Sequence, residues 1–252
     1  MNKWFFIFNY TLKLSFIYLF NELLGSFYRL VPLLGVLIVG LHTSDPGYLM
    51  SYVLTGSIFF AMTEPFISWE LGEKIKSGHL IKDLIYPTTI IKVYIAKALA
   101  RCVYIFTSYI PVIIFLLITF WSYFIFDFSK IWIFLPWFFV AVSIRFCFEY
   151  ISAALSFWTV EFSGPVYLVF NIMVILSGSI FPLSYLPSGF EWIKNLPFAY
   201  ILEHPMQIYL GKYDMSSSFS YFVYGLFWTG LLFWFTNVLF KLGLKKYESI
   251  GL

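Results

Sequence analysis

The sequence predicts an all-α membrane protein: an N-terminal interfacial helix, six transmembrane helices, and two short re-entrant helices on the outer side before the last span. Three observations lead there. Of the 252 residues, 61% are hydrophobic and 12% charged, against about 45–50% and about 25% in a soluble domain. Mean hydropathy is +0.84. The apolar runs are long and unbroken, not alternating in ~10-residue pieces as barrel strands would, and a helical span needs about 20 apolar residues. The same figures exclude a disordered, collagen-like or nucleic-acid-binding chain.

Residues 1–24 are aromatic-rich but carry Lys3, Asn9, Lys13, Asn21 and Glu22. If this segment spanned, Lys13 would sit in mid-bilayer at about 2.5–3.5 kcal/mol, so it is read as an interfacial helix anchored by Trp4. No small-residue cleavage site follows it, and a cleavable signal is not expected. The spans then run over about 25–41, 49–68, 93–120, 131–157, 166–181 and 219–239. His42–Gly47 and Thr159–Pro165 are turns, and Pro111 marks a kink in the third span. Cys102 and Cys147 lie inside apolar runs and read as small buried hydrophobes.

Orientation comes from the basic residues. Thirteen of the sixteen lysines and arginines fall on one side, leaving Lys130, Lys194 and Lys212 on the other. Positive residues stay inside, which places both termini in the cytoplasm and residues 69–92 with them. Residues 182–218 are then external.

Two connections and one span carry the functional candidates. The 69–92 stretch mixes Glu70, Glu73, Lys74, Lys76, His79, Lys82 and Asp83 with Leu71, Ile75, Leu80, Ile81, Leu84 and Ile85. A short amphipathic helix broken at Gly78 would show an apolar ridge and a charged rim to a soluble partner; a solvated loop obeying the inside rule is the other reading. In 182–218, the segments 188–196 and 200–210 are apolar yet too short to span. Backbone of that kind at membrane depth must be buried in protein or line a cavity, although an interfacial loop anchored by Phe190, Trp192 and Tyr200 fits too. In the fourth span Arg145 and Glu149 are four apart and share a helix face; intramembrane charges are functional candidates, and a structural ion pair is the simpler role. Glu64 faces a cavity or reaches the inner interface. Glu203 and His204 read as a proton-sensitive pair, or His204 as a plain polar cap.

No phosphate loop, HExxH or G-x-S-x-G motif is present, and the three histidines are scattered. No catalytic residue and no metal site is expected.

The layout resembles the permease subunits of the type-two ABC exporter family over nearly the whole chain. Trp69-Glu70, Gly78-His79-Leu80 and Leu84-Ile85-Tyr86-Pro87 resemble the family's coupling-helix region. Gly178-Ser179-Ile180-Phe181-Pro182, Leu186-Pro187, Trp192 and Leu196-Pro197-Phe198-Ala199-Tyr200 resemble the pattern before the last span. The resemblance implies a single permease domain over 1–252 in a bacterial inner membrane. It implies pairing with a second, identical or related permease, and separate ATPase subunits that hold ATP and Mg. This chain would bind no cofactor itself and would touch only membrane lipids besides these partners. Force would enter through Glu70, Glu73, Lys74, Lys76, His79, Lys82 and Asp83. Phe181, Pro182, Pro187, Trp192, Pro197 and Tyr200 would form an external gate. The competing readings are an ion-gradient-driven secondary transporter using Glu64 or Glu149, and a membrane enzyme or assembly factor.

Overall fold

A computed structural model describes residues 3–28, 45–85, 89–123 and 131–251. Among these residues the chain is helical without strands. The predicted first span, the His42–Gly47 turn up to Ser44, Pro87, and the loop holding Asp127 and Lys130 lie wholly or largely outside the described residues.

The N-terminal segment forms two helices, α1 (Lys3–Ile17) and α2 (Leu19–Tyr28). Both pack against the long helix over Ile90–Phe120, where Phe16 meets Tyr104 edge-on at 5.6 Å. Phe5, Phe6, Tyr10, Ile17, Tyr18 and Phe20 remain exposed, as an interfacial element requires.

Helix α3 (Pro46–Met62) starts from Asp45, whose carboxylate accepts the N–H of Tyr48 at 3.1 Å. Its proline at the first position needs no N–H partner. The predicted second span ran to residue 68; the helix stops at Met62, because Pro65 cannot continue it and Phe66 takes φ +50. Two short helices follow, α4 (Ser68–Lys76) and α5 (Leu80–Leu84), separated at Gly78 with φ +78. The sequence break at Gly78 is thus a real one.

Helix α6 (Ile90–Phe120) has 31 residues and runs through Pro111 without interruption. Helix α7 (Ile131–Ala154) continues into a 3-10 turn, Leu155–Phe157. Helix α8 (Ser163–Leu176) is 14 residues, about 21 Å. It is shorter than the predicted span over 166–181, since the chain turns at Gly178, φ +84. The connection to the last helix holds three 3-10 segments, Leu183–Tyr185, Ser188–Asn195 and Pro197–Tyr200, and one buried α-helix, α9 (Glu203–Tyr209). Helix α10 (Met215–Gly251) is 37 residues and absorbs the basic tail predicted after residue 239. Lys241, Lys245 and Lys246 keep the helix going because lysine is a good helix former.

Among the described residues three helices are long and apolar enough to cross a membrane: Ile90–Phe120, Phe134–Phe157 and Met215–Tyr247. The core is organised around α7. One apolar cluster joins it to α4, α6 and α10 through Leu71, Tyr94, Ile144, Tyr150 and Phe240. The other joins α3, α6 and α9 through Leu54, Phe59, Val112, Leu202 and Met206. Cys102 and Cys147 are free thiols in this interior.

Candidate coupling and outer sites

The charged stretch after α3 is not a uniform display surface. Glu70 lies at the centre of a cation cluster. Its Oε1 is 2.5 Å from Lys97 Nζ and 3.1 Å from Lys74 Nζ, and its Oε2 is 3.1 Å from Arg101. Lys74 reaches on to Asp83 at 2.8 Å, and Asp83 also accepts the Tyr94 hydroxyl at 2.8 Å. Burial opposes the Glu70 charge, but Lys97, Lys74 and Arg101 outweigh it and bring the carboxyl down to about 2. Burial also opposes the Lys74 charge, and the bonds to Asp83 and Glu70 more than offset it, so its pKa stands above the ordinary lysine value. Surface ion pairs contribute little singly; this one is a half-buried network joining α4 and α5 to the base of α6.

The other charged candidates face outward. Glu73, Lys76, His79 and Lys82 are exposed, and Lys76 Nζ donates to the Thr159 carbonyl. The predicted apolar ridge divides in the same way. Leu71, Ile75 and Leu80 are buried, whereas Ile81 and Leu84 are exposed and Ile85 is 75% exposed. Gly72 allows the close fit beneath: a Cβ there would stand 3.1 Å from the Phe162 side chain and 3.3 Å from Ser156 Oγ.

Residues 63–67, the elbow between α3 and α4, are held from three sides. Glu149 Oε2 accepts the N–H groups of Ile67 at 2.7 Å and Ser68 at 3.3 Å. These are orphan donors at the start of α4, where a carboxylate is favoured by the helix dipole. Arg145 is fully buried, donates to the Phe60 carbonyl and to Thr63 Oγ1 at 3.2 Å, and pairs with Glu64 at 3.4 Å. Its guanidinium stands 3.9 Å over the Phe60 ring. Arg101 donates to the Phe66 carbonyl. Arg145 and Glu149 therefore share a face as their spacing predicts, but each bonds the elbow and not the other. Better-placed partners lie across the helix interface.

At the opposite end of α3 a second cluster forms. Glu203 is 1% exposed; its Oε2 accepts Tyr52 Oη–H at 2.7 Å and Leu183 N–H at 2.9 Å, and its Oε1 accepts Gln207 Nε2–H at 2.8 Å. Tyr52 Oη also lies 3.0 Å from the Gly178 carbonyl, and Gln207 bonds Tyr48 Oη at 2.7 Å. His204 points away from Glu203. Its Nε2 donates to the Lys194 carbonyl at 2.8 Å and its Nδ1 accepts Tyr213 Oη–H at 3.3 Å. Burial pushes the imidazole down to about 4, against the pull of the Lys194 bond, so it is neutral near pH 7. Glu203 and His204 are not a pair.

The profile of the family described as "ABC-2 family transporter protein" matches residues 37–251. This chain belongs to that family. No curated protein matches it, and no solved structure matches it.

In this ABC-2 permease the six predicted gate residues do not form one surface. Pro182, Pro197 and Tyr200 are buried, while Phe181, Pro187 and Trp192 are exposed. Tyr200 stacks against Trp137 of α7 at 6.4 Å and meets His204 at 4.5 Å. Sequence reasoning missed Lys97 and Arg101 as partners of Glu70, Tyr94 as a partner of Asp83, and Tyr52 and Gln207 as partners of Glu203. The i, i+4 spacing of Lys97 and Arg101, one turn apart on the helix that follows a loop carrying Glu70, was the available signal for the Glu70 partners. Among the described residues no three of His, Cys, Asp and Glu group closely enough to hold a metal ion.

Proposed function

We propose that this ABC-2 permease is the membrane subunit of an ATP-driven exporter in a bacterial inner membrane. It works as a pair of permeases and takes its force from separate ATPase subunits docked on α4 and α5 at the cytoplasmic face. ATP and Mg reside on those ATPases; this chain lacks the phosphate loop that would hold them. The observation that carries the reading is the two-sidedness of the α4–α5 unit. One side is fixed to α6 by Glu70, Lys74 and Asp83 and to α7 by Glu149. The other shows Ile81, Leu84 and Ile85 within a rim of Glu73, Lys76, His79 and Lys82. Apolar side chains rimmed by charge in a water-facing position mark a protein contact. A push on this unit is carried into α3 through the elbow at Phe66 and into α6 through Lys97 and Arg101. The external helices, tied to α3 by Tyr52 and Glu203, would follow that movement.

The test is co-purification of the full permease with its ATPase and measurement of stimulated ATP hydrolysis. Ile81→Asp combined with Lys82→Glu should abolish association and lower stimulated hydrolysis at least tenfold. Thermal stability should stay near the wild type, because exposed substitutions change stability by only about 0.5 kcal/mol. Normal association and hydrolysis in that variant would refute this docking surface.

A further inference from the structure

Two cavities meet beside the elbow. The inner one, about 130 Å³, is walled by Glu64, Glu149, Ser68, Trp69, Tyr167 and Phe170. The second, about 340 Å³, is lined mainly by Phe60, Val112, Leu116, Tyr109 and Val174, with Ser26, Ser57 and Ser179 as polar spots. Glu64, Phe66 and Phe170 belong to both linings, so the two open onto the same side chains. Their characters differ. The inner cavity has two carboxylates and three aromatic rings besides Phe66, and among the described residues no lysine or arginine lines either cavity. Two arginines stand beside the shared wall: Arg145 pairs with Glu64 and faces Phe60 and Thr63, and Arg101 donates to the Phe66 carbonyl and pairs with Glu70. With Arg145 committed to Glu64 and Arg101 to Glu70, Glu149 accepts backbone N–H groups and, among the described residues, forms no ion pair. Aromatic faces add to the attraction, since an ammonium group is drawn to a ring's negative face. The second cavity offers aliphatic and aromatic surface in the size range of small-molecule sites, about 300–1,000 Å³.

The geometry points to a binding site for an amphiphile with a cationic ammonium head and an apolar tail. The head lies between Glu64, Glu149, Trp69 and Tyr167, and the tail runs along Phe60, Val112, Leu116 and Val174. This cargo assignment rests on reading the chain as an export permease. An anionic head would face the two carboxylates and be repelled. A neutral hydroxylated head would gain hydrogen bonds from them but neither the charge attraction nor the aromatic contact that an ammonium gains. A bare inorganic cation would leave the larger cavity without a function.

The experiment uses the full-length chain in lipid nanodiscs, without ATPase, and measures saturable, displaceable binding of radiolabelled decyltrimethylammonium, whose charge does not vary with pH. Its Kd should be at least tenfold lower than those of decyl sulfate and decyl maltoside, and Glu64→Gln should raise it about tenfold or more. Val174→Trp fills the tail cavity; it should weaken decyltrimethylammonium and leave tetramethylammonium binding intact, and this split decides the matter if Glu64→Gln fails to fold. Nanodiscs with and without phosphatidylethanolamine distinguish the source: competition by the amine lipid assigns the site to a bilayer lipid, and no competition assigns it to a soluble amphiphile. Equal affinity for the three decyl probes, or sodium binding that the ammonium probes do not displace, would overturn the site. Because no ATPase is present, a chain that binds the probe but never stimulates an ATPase refutes the export reading and leaves the site standing.

Discussion

Replacing Glu70 by glutamine tests whether the α4–α5 unit is held as a lever. The carboxyl falls from an ordinary value of 4.5 to about 2. A shift of that size corresponds to about 3 kcal/mol, at about 1.4 kcal/mol per unit. The side chain is 27% exposed, so solvent screening reduces this to about 2 kcal/mol. The sign follows from the lowered pKa: the contribution is present above pH 4.5 and is lost as pH falls toward 2. At pH 7, Glu70→Gln should therefore increase local opening of α4 by about 30-fold, read as faster amide hydrogen exchange across Ser68–Lys76 relative to α7. In the wild type the protection factor of the same amides should decline between pH 4.5 and 2, while in Glu70→Gln it should be flat over that window. Unchanged exchange in the variant at pH 7, or a wild-type profile without that decline, would refute the claim that the cluster around Glu70 fixes the unit.

Two further substitutions probe the elbow and the outer cluster. Arg145→Met should destabilise the chain by about 3–5 kcal/mol because it strands Glu64 beside an apolar wall; adding Glu64→Gln should restore part of the loss, and a double-mutant cycle in thermal unfolding reads the coupling. At Gly178 an added Cβ would stand 2.7 Å from Tyr52 Oη and 2.8 Å from Glu203 Oε2, and φ +84 is unfavourable for alanine. Gly178→Ala should thus loosen the contact between α3 and α9, measured as lower Tm and as faster amide hydrogen exchange across Glu203–Tyr209.

The sequence revealed local features and concealed contacts between distant elements. The long apolar runs gave α6, α7 and α10, because about 20 uninterrupted apolar residues leave a helix few alternatives in lipid. Gly78 marked a break where the chain does adopt positive φ. The prolines at 182, 187 and 197 marked the short 3-10 segments. What stayed hidden depends on partners far along the chain. Spacing placed Arg145 and Glu149 on one face but could not show that Ile67 and Ser68 present free N–H groups opposite Glu149. Lys97 and Arg101 read as cations obeying an orientation rule, and only the folding of α4 onto α6 brings Glu70 between them. Tyr52 and Glu203 are 151 residues apart, and no periodicity links them. The end of α8 at Leu176 was missed because Ser177 and Ser179 are compatible with a helix; the turn belongs to Gly178 and to the bond from Glu203 N–H to the Ser177 carbonyl at 3.0 Å.

The elbow explains why these charges sit where they do. Phe66 adopts φ +50, a conformation costing about 1–3 kcal/mol for a non-glycine residue. It persists because the surroundings over-determine it: Arg101 holds the Phe66 carbonyl, Glu149 holds the next two N–H groups, and Arg145 holds Phe60, Thr63 and Glu64 just before it. A flexible joint would let α4 move without moving α3, and a push from below would dissipate there. On the reading proposed above, a clamped joint would carry rotation of α4 to α3 and, through Arg145 and Glu149, to α7. The clamp also brings Glu64 and Glu149 to the wall of the inner cavity. A cation held there would interact with the same carboxylates that fix the elbow, so the proposed site would couple its occupancy to the position of α4. That coupling is reciprocal: whatever shifts α4 must change affinity in the cavity by the factor with which occupancy shifts α4.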